Sequence, residues 1–139
     1  MIKVAMQPVG VDIDRLTLLL LELDKIHHEA APARFPLHPF DKRKQDVQKI
    51  FDRGCIFYAE QDAQIVGFAT VIAKGEDLVI EHLFVQPEFR LRKIATQLIE
   101  GIHTEFPNKE IFASVCAFNS AAIKFYEKLF KLSSLVFRK

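Results

Sequence analysis

Three consecutive strand-like segments between residues 55 and 85 constrain the fold of this 139-residue chain more than any other feature. The first two, CIFYAEQ and QIVGFATVIA, are rich in β-branched and aromatic residues and meet across the tight turn QDAQ. A second turn, around Lys74 to Asp77, leads into the third segment, LVIEHLFV. Because such short connections join antiparallel neighbours, these segments predict a hairpin extended by a third strand.

Further strands and helices are predicted on both sides of this unit. A strand over residues 2–9 precedes a helix that Asp12 caps and that runs to about His28. A shorter helix, from about Lys42 to Arg53, should end at Gly54. The remaining predicted elements are a helix over 94–106, a strand over 110–118, a helix over about 120–129 and a last strand, LSSLVFR. The order β-α-α-β-β-β-α-β-α-β predicts one mixed α/β domain over residues 1–139.

Composition and charge indicate a cytoplasmic protein that binds neither nucleic acid nor membranes. The formal net charge is +1, so no global field attracts polyanions. The two cysteines, Cys55 and Cys116, lie outside any metal-ligand spacing, which fits a reducing compartment. The N-terminal MIKVAMQPVG lacks the apolar core of an export signal, and the run LTLLLLEL is too short to cross a bilayer.

A basic turn follows the third strand segment and precedes a helix. In FVQPEFRLRKIATQLIEG, Arg90, Arg92 and Lys93 crowd the start of a helix, where cations are unfavourable unless they are solvated or an anion binds. The backbone N–H groups from Leu91 to Ala95 would surround one point and suit a pyrophosphate. Two interpretations therefore stand, a phosphate-binding turn and a solvated basic turn.

The same segment resembles the acyl-CoA-binding motif of the GNAT superfamily of N-acetyltransferases. That motif runs roughly L-x-V-x-P-x-x-R-x-x-G-x-G/A, and it is matched in register by Leu83, Val85, Pro87, Arg90 and Ala95. A second family signature, roughly N-x-x-A-x-x-F-Y-x-x-x-G-F, is matched by Asn119, Ala122, Phe125 and Tyr126. The resemblance extends over nearly the whole chain. It implies an α/β (α+β) fold with a central mixed, mostly antiparallel sheet flanked by helices, and a final strand beside the strand 110–118.

Three positions depart from the family pattern. Lys93 and Leu91 stand where glycine is usual or frequent, and Phe130 stands where a glycine often follows the last helix. Glycine tolerates a positive φ and a close approach of the backbone to a ligand. If position 93 has an ordinary helical φ, the N–H groups keep their arrangement. If it needs a positive φ, the loop is strained by roughly 1–2 kcal/mol.

The resemblance implies transfer of an acetyl group from acetyl-CoA to a primary amine of a small molecule or peptide, by direct attack on the thioester and without a metal. The backbone N–H near Leu83 would hold the thioester oxygen. The residues expected to contact the cofactor are Leu83, Phe84, Val85, Arg90, Leu91, Arg92, Lys93, Ile94, Ala95, Asn119 and Tyr126. A GNAT-like domain that binds acyl-CoA or a partner without turnover is the alternative, since glycine is missing at 91, 93 and 130. Homodimers are frequent among relatives.

Two residues are candidates for the chemical step. Tyr126 matches the family's usual general acid, which protonates the leaving sulfur; the alternative is a core aromatic beside Phe125. Glu81 is the candidate base, since strand alternation would put it on one face with Leu83 and Val85 and turn the next residue to the opposite face. Its alternative role is a salt bridge. Asn119 is either a cofactor ligand or the cap of the last helix.

The loop between the first two helices is expected to line the acceptor site. It contains HHEAAPARFPLHPF, whose three prolines exclude regular structure, and the candidate contacts are His28, Phe35 and His38. Loop histidines could also serve as the base. A metal site is a poor interpretation because adjacent helical histidines point about 100° apart. The sequence does not identify the acceptor amine.

Overall fold

A computed structural model describes residues 3–6, 12–90 and 92–131 of the chain. Its elements are β1 Lys3–Met6, α1 Ile13–Ala30, α2 Phe40–Arg53, β2 Cys55–Gln61, β3 Gln64–Lys74, β4 Asp77–Val85, a 3₁₀ turn Pro87–Phe89, α3 Ile94–Glu105, β5 Ile111–Ala113 and α4 Ser120–Leu129. This order confirms the prediction as far as α4. The predicted last strand, LSSLVFR, lies outside the described residues.

The described strands form one sheet in the order β1-β2-β3-β4-β5. The first three interfaces are antiparallel, and β4 pairs with β5 in parallel, which confirms a mixed, mostly antiparallel sheet. The strand predicted over 110–118 is too long, because β5 covers only Ile111–Ala113. Beyond Ala113 the chain leaves the sheet.

The turn between β2 and β3 has the geometry that a two-residue hairpin requires. Asp62 and Ala63 both have positive φ, 53° and 63°. Paired positive φ angles are typical of the turn whose twist matches the right-handed twist of the flanking strands. The tight turn and the hairpin that the sequence predicted are therefore confirmed.

A β-bulge interrupts the ladder between β3 and β4. Ile80 pairs with Val71 and His82 pairs with Thr70, so Glu81 is an extra residue on β4 with no partner opposite. The bulge lies directly after Ile80, the last residue of β4 that pairs with β5. Because a bulge bends its strand and increases the twist, it explains why β5 stops so early.

The bulge also resets which residues of β4 face each side of the sheet. Leu78 and Ile80 before it, and Val85 after it, pack in the core cluster that includes α3. Phe84 packs on the other side, in the cluster that includes α1. Without the extra residue, strict alternation would put position 84 on the same face as 78 and 80. β4 therefore contributes side chains to the core clusters on both sides of the sheet.

Helix boundaries follow from caps that the sequence predicted. Asp12 accepts a hydrogen bond from the Arg15 N–H at 3.0 Å and starts α1. Gly54 ends α2, donating its N–H to Ile50 O at 2.8 Å. A Cβ at position 54 would lie 2.3 Å from Val71 O, so only glycine allows α2 to end this close to β3. In the described part of the chain, no helix has the length and apolarity needed to span a membrane.

Candidate active site

The sheet opens between β4 and β5. Their parallel pairing covers only Leu78–Ile80 against Ile111–Ala113. Beyond this point, residues 81–85 have no strand beside them on that edge within the described part of the chain. Backbone groups on such an open edge can pair with an extended ligand as another strand would.

Arg90 connects the basic turn to the end of β4. Its Nε donates a hydrogen bond to Val85 O at 2.9 Å, and its guanidinium lies 5.6 Å from the centre of the Phe84 ring. Both contacts are with residues of β4. Arg90 therefore fixes the position of the turn relative to the open edge.

Arg92 and Lys93 are both exposed at the start of α3. The Arg92 guanidinium lies over the Phe89 ring at 5.3 Å, and it makes a long hydrogen bond of 3.4 Å to Gln61 Oε1 in the β2–β3 turn region. These two side chains put positive charge in solvent at the helix start.

The first turn of α3 also presents backbone N–H groups at the helix start, next to Arg92 and Lys93. The first helical hydrogen bond runs from Gln97 N–H to Lys93 O at 3.0 Å, so the N–H groups at positions 94–96 have no acceptor in an earlier helical turn. The Ile94 side chain is buried and anchors the helix in the core. Only its backbone can meet a ligand. Leu91, predicted to contribute another N–H, lies outside the described residues.

Lys93 has a left-handed conformation, which glycine adopts without strain. Its φ is 59° and its ψ is 24°, at the N-cap of α3. The strained alternative considered from the sequence is thus the observed one. In contrast, Phe130 has φ −125° at the end of α4, a conformation open to any residue, so glycine is not needed there.

Lys93→Gly is expected to stabilise the protein by about 0.5–1 kcal/mol. The substitution removes about 1–2 kcal/mol of left-handed strain, partly offset by the greater freedom of glycine in the unfolded chain. Urea unfolding at neutral pH measures the difference. Lys93→Ala is the matched control, because it removes the charge and keeps the strain. Equal stability of the two variants would contradict the strain interpretation.

Asn119 caps α4. Its Oδ1 accepts a hydrogen bond from the Ala122 N–H at 3.1 Å, and its backbone carbonyl accepts one from the Ile123 N–H at 3.0 Å. The capping alternative is therefore confirmed. A contact from Asn119 to a cofactor stays a prediction.

Tyr126 is held by aromatic neighbours on α4 and at its end. Its ring lies 5.3 Å from that of Phe125 and 5.3 Å from that of Phe130, and it packs against the same core cluster as Leu83. Burial raises the pKa of Tyr126 to about 12. The hydroxyl therefore stays protonated at neutral pH and is a hydrogen-bond donor rather than a base.

A cavity of about 480 Å³ lies between α2 and β4. It is lined by Arg43, Asp46, Lys49 and Ile50 of α2, by Val79, Ile80, Glu81 and His82 of β4, and by Ser114. Glu81 and His82 both line this cavity, although strict alternation predicts opposite faces for them. The bulge is the reason, because Glu81 is the extra residue that breaks the alternation. Glu81 is exposed, so its carboxylate is accessible to solvent.

His82 is fixed by the neighbouring strand. Its Nδ1 lies 2.7 Å from Thr70 Oγ1, and Thr70 is only 3% exposed. Desolvation by burial, with a further contribution from the positive charge of Arg43, lowers the pKa of His82 to about 4. The imidazole is thus neutral under physiological conditions.

A network of charges forms the α2 wall of the cavity. Arg43 binds Asp24 of α1 through Nε and Nη2, both at 2.7 Å, and binds Asp46 through Nη1 at 3.1 Å. The hydrogen bonds with Asp24 are the main reason that the pKa of Arg43 is raised. Bidentate pairing of this kind holds a guanidinium in one orientation and joins α1 to α2.

The loop residues predicted for the acceptor site have other neighbours. His28 Nδ1 lies 2.7 Å from Phe35 O, and the Phe35 ring packs 5.1 Å from His27 and 6.1 Å from Phe118. His38 is exposed. None of the three predicted residues, His28, Phe35 and His38, lines the cavity. Among the residues described, no group of three His, Cys, Asp or Glu is arranged to hold a metal ion.

Sequence reasoning missed the α2 contribution. The signal was present, because Arg43, Asp46 and Lys49 recur every three residues and so share one side of a helix. A charged helix side is usually solvated, so this pattern alone does not indicate a cavity wall. His82 and Ser114 had no pattern that distinguished them.

Solved structures with the same architecture include acetyltransferases. The aminoglycoside N-acetyltransferase AAC(6')-Iy in complex with CoA is similar over 100% of this chain and 95% of that chain, with a TM-score of 0.80 and 22% identity. The ribosomal-protein-alanine N-acetyltransferase from Brucella melitensis biovar Abortus 2308 is similar over 100% and 99%, with a TM-score of 0.70 and 20% identity. At these identities the likeness shows a shared fold: the protein has the fold of a GNAT acetyltransferase.

The sequence itself gives the family. Residues 20–131 match the profile of the acetyltransferase (GNAT) family. Since the match covers well over half of the chain, this protein belongs to the GNAT family. Among curated proteins no significant match is found.

Proposed function

We propose that this protein transfers an acetyl group from acetyl-CoA to a primary amine of a small molecule or peptide. The observation that carries the proposal is the open edge of β4, which has the N-terminal turn of α3 at one end and the cavity with Glu81 and His82 at the other. An extended thioester could lie along this edge with its phosphates at the helix and its acetyl group at the cavity.

The cofactor would be held mainly by backbone. The pantetheine arm pairs with the edge at Leu83 and Val85, and the pyrophosphate lies at the free N–H groups of the first turn of α3. Arg92 and Lys93 add positive charge there, and Arg90 keeps the turn against β4 through its hydrogen bond to Val85 O. The AAC(6')-Iy structures contain CoA or a bisubstrate analogue built on CoA, which supports this assignment.

The chemical step needs three groups. The neutral amine attacks the thioester carbonyl, a C–N bond forms and the C–S bond breaks, while the backbone N–H near Leu83 donates to the developing oxyanion. Glu81 takes the proton that the amine loses, directly or through water. Tyr126 donates a hydrogen bond to the leaving sulfur and supplies its proton, which solvent then restores.

The acceptor amine can be identified with a panel of candidate amines. Solved neighbours include aminoglycoside and ribosomal-protein-alanine acetyltransferases, so neamine and a peptide with an N-terminal alanine belong in a first panel. The cavity wall carries two cationic and two acidic side chains, namely Arg43, Lys49, Asp46 and Glu81. Because this balance offers a polycation little net attraction, monoamines such as n-butylamine and 2-phenylethylamine complete the panel.

Acetyl-CoA is expected to stabilise the protein against heat. At a hundred times its dissociation constant a ligand adds about 2.7 kcal/mol, which for a chain of this size raises Tm by several degrees. Free CoA should act similarly and ATP should not. In Arg92→Ala the rise in Tm should be smaller. Lys109→Ala is the control, because Lys109 is a surface cation far from the turn, and its rise in Tm should equal that of the wild-type protein. An unchanged Tm at millimolar acetyl-CoA would rule out the proposed cofactor site.

A domain that binds acyl-CoA without turnover is the second candidate, because Lys93 stands in a left-handed conformation at a position where the family usually has glycine. Thiol release from acetyl-CoA in the presence of the amine panel distinguishes the two. A thermal shift without thiol release would select the binding domain.

A further inference from the structure

We propose that His82, oriented by Thr70, is a direct hydrogen-bond partner of the acceptor amine. This inference rests on the proposed function and names a residue of the same site. His82 contributes the unprotonated Nε2 of a neutral imidazole, and it acts beside Glu81 rather than in its place.

The position of the ring follows from the sheet. His82 and Thr70 are opposite each other in the β3–β4 register, and the 2.7 Å contact joins His82 Nδ1 to Thr70 Oγ1. Because Thr70 is 3% exposed, its hydroxyl is fixed in the interior. The contact engages one ring nitrogen and leaves Nε2, on the opposite side of the ring, as the nitrogen available to the cavity that His82 lines.

The bulge brings a carboxylate and an imidazole into one cavity from adjacent residues. In a regular strand, Glu81 and His82 would point to opposite faces of the sheet. Here both line the cavity, so an amine bound there can meet both. The carboxylate removes a proton, and the imidazole accepts a hydrogen bond from another N–H of the same nitrogen. With its two N–H groups directed at these acceptors, the amine has its lone pair left for attack.

The surrounding charges keep His82 in the form that this role requires. The groups that face it are Asp24 and His27 of α1, Arg43 and Asp46 of α2, and its neighbour Glu81. Burial dominates and favours the neutral ring, and Arg43 acts in the same direction. An imidazolium in this place would repel an incoming ammonium, whereas the neutral ring attracts its N–H groups.

The proposal specifies one tautomer. Nδ1–H donates to Thr70 Oγ1, and Nε2 carries the lone pair. The opposite tautomer, with Thr70 donating to Nδ1, would present an N–H to the cavity and could not accept from an amine. A purely structural His82–Thr70 pair would tolerate either tautomer.

The first experiment is ¹⁵N NMR of the full chain labelled at histidine, with the His82 signals assigned by their loss in His82→Gln. We expect an Nδ1-protonated ring that does not titrate between pH 5.5 and 8, and an Nε2 signal that moves on addition of n-butylamine at pH 8 in the presence of CoA. Thr70→Val should abolish the tautomer preference, and Thr70→Ser should keep it. An Nε2-protonated ring, or an Nε2 signal unmoved by the amine, would overturn the proposal.

The second experiment measures steady-state kinetics with the best acceptor of the panel. Loss of one hydrogen bond to a bound amine should lower kcat/KM for the amine about 10-fold to 100-fold in His82→Phe and less in His82→Gln, whose side-chain oxygen can replace Nε2. KM for acetyl-CoA should not change. An unchanged kcat/KM for the amine in His82→Phe would also refute the proposal.

Failure of the proposed transfer reaction and failure of the proposed role of His82 can be distinguished. Absence of thiol release by the wild-type protein with every amine would refute the proposed transfer reaction. The NMR titration does not require turnover and still decides whether His82 meets the amine. The thermal shift with acetyl-CoA in each variant verifies that the fold and the cofactor site are intact.

Discussion

Replacing Tyr126 with phenylalanine should lower kcat for acetyl transfer by about 100-fold to 1,000-fold. General acid catalysis by a positioned side chain contributes roughly this much, and the hydroxyl is the only group that the substitution removes. The ring keeps its contacts with Phe125 and Phe130, because phenylalanine has the same shape. Stopped or continuous assays of thiol release at saturating acetyl-CoA measure the effect.

The pKa of Tyr126 strengthens this expectation. Since burial raises it to about 12, the hydroxyl carries its proton throughout the pH range in which the protein would work. The rate of the wild-type protein should therefore show no alkaline loss from Tyr126 below about pH 11.

Tyr58→Phe is a matched control for the chemical role. Tyr58 is a buried tyrosine of β2 in the core on the α1 side of the sheet, away from the open edge. Its substitution changes the same atoms and should leave kcat within about twofold. If Tyr126→Phe also retained nearly full kcat while binding acetyl-CoA normally, Tyr126 would be a packing residue and another donor would protonate the thiolate.

Acidification from pH 7.5 to pH 5 should cost the folded state about 2 kcal/mol through His82 alone. The pKa of this group is lowered from 6.5 to about 4 in the folded protein, so the unfolded chain binds the proton more readily. The contribution to stability is complete above about pH 6.5 and is lost progressively as the pH falls towards 4. Urea unfolding across this range measures it.

His82→Gln should flatten this pH dependence, because glutamine does not titrate. His103→Gln is the matched control, because it makes the same substitution at an exposed position of α3. Part of the slope will remain in His82→Gln, because burial also lowers the pKa of His27. Parallel curves for wild-type and His82→Gln proteins would mean that the His82 ring is solvated.

Local rules in the sequence predicted most of the architecture. The Asp12 cap, the two-residue turn at Asp62–Ala63 and the stop at Gly54 each act over a few residues, and each occurs as expected. The two motif segments also fall where the family pattern places them, at the end of β4 and on α4. These features depend on neighbours in sequence, which a single chain displays directly.

The site was less predictable because it depends on pairing between distant segments. Alternation along β4 misplaced Glu81, because only the register with β3 defines it as an extra residue. The length of β5 was overestimated for a related reason: a strand ends where its partner bends away. The wall formed by Arg43 and Asp46 required the packing of α2 against the sheet, which periodicity does not specify.

The conformation of Lys93 illustrates a choice that the sequence posed but did not decide. A lysine at a usual glycine position was compatible with either sign of φ. The sign depends on how the turn after β4 joins α3, and the result is a left-handed lysine at the helix start.

Because of the bulge in β4, the side chain at position 81 can change the chemistry of the site without changing how the protein folds. Glu81 has no partner across the ladder and is exposed, so a different side chain there would disturb neither strand pairing nor the two cores. Selection can therefore vary the group at position 81, and with it the acceptor or the working pH, at little cost in stability. Deleting the residue would instead exchange the faces of every later position in β4. β4 thus tolerates a substitution at position 81 but does not tolerate a deletion there.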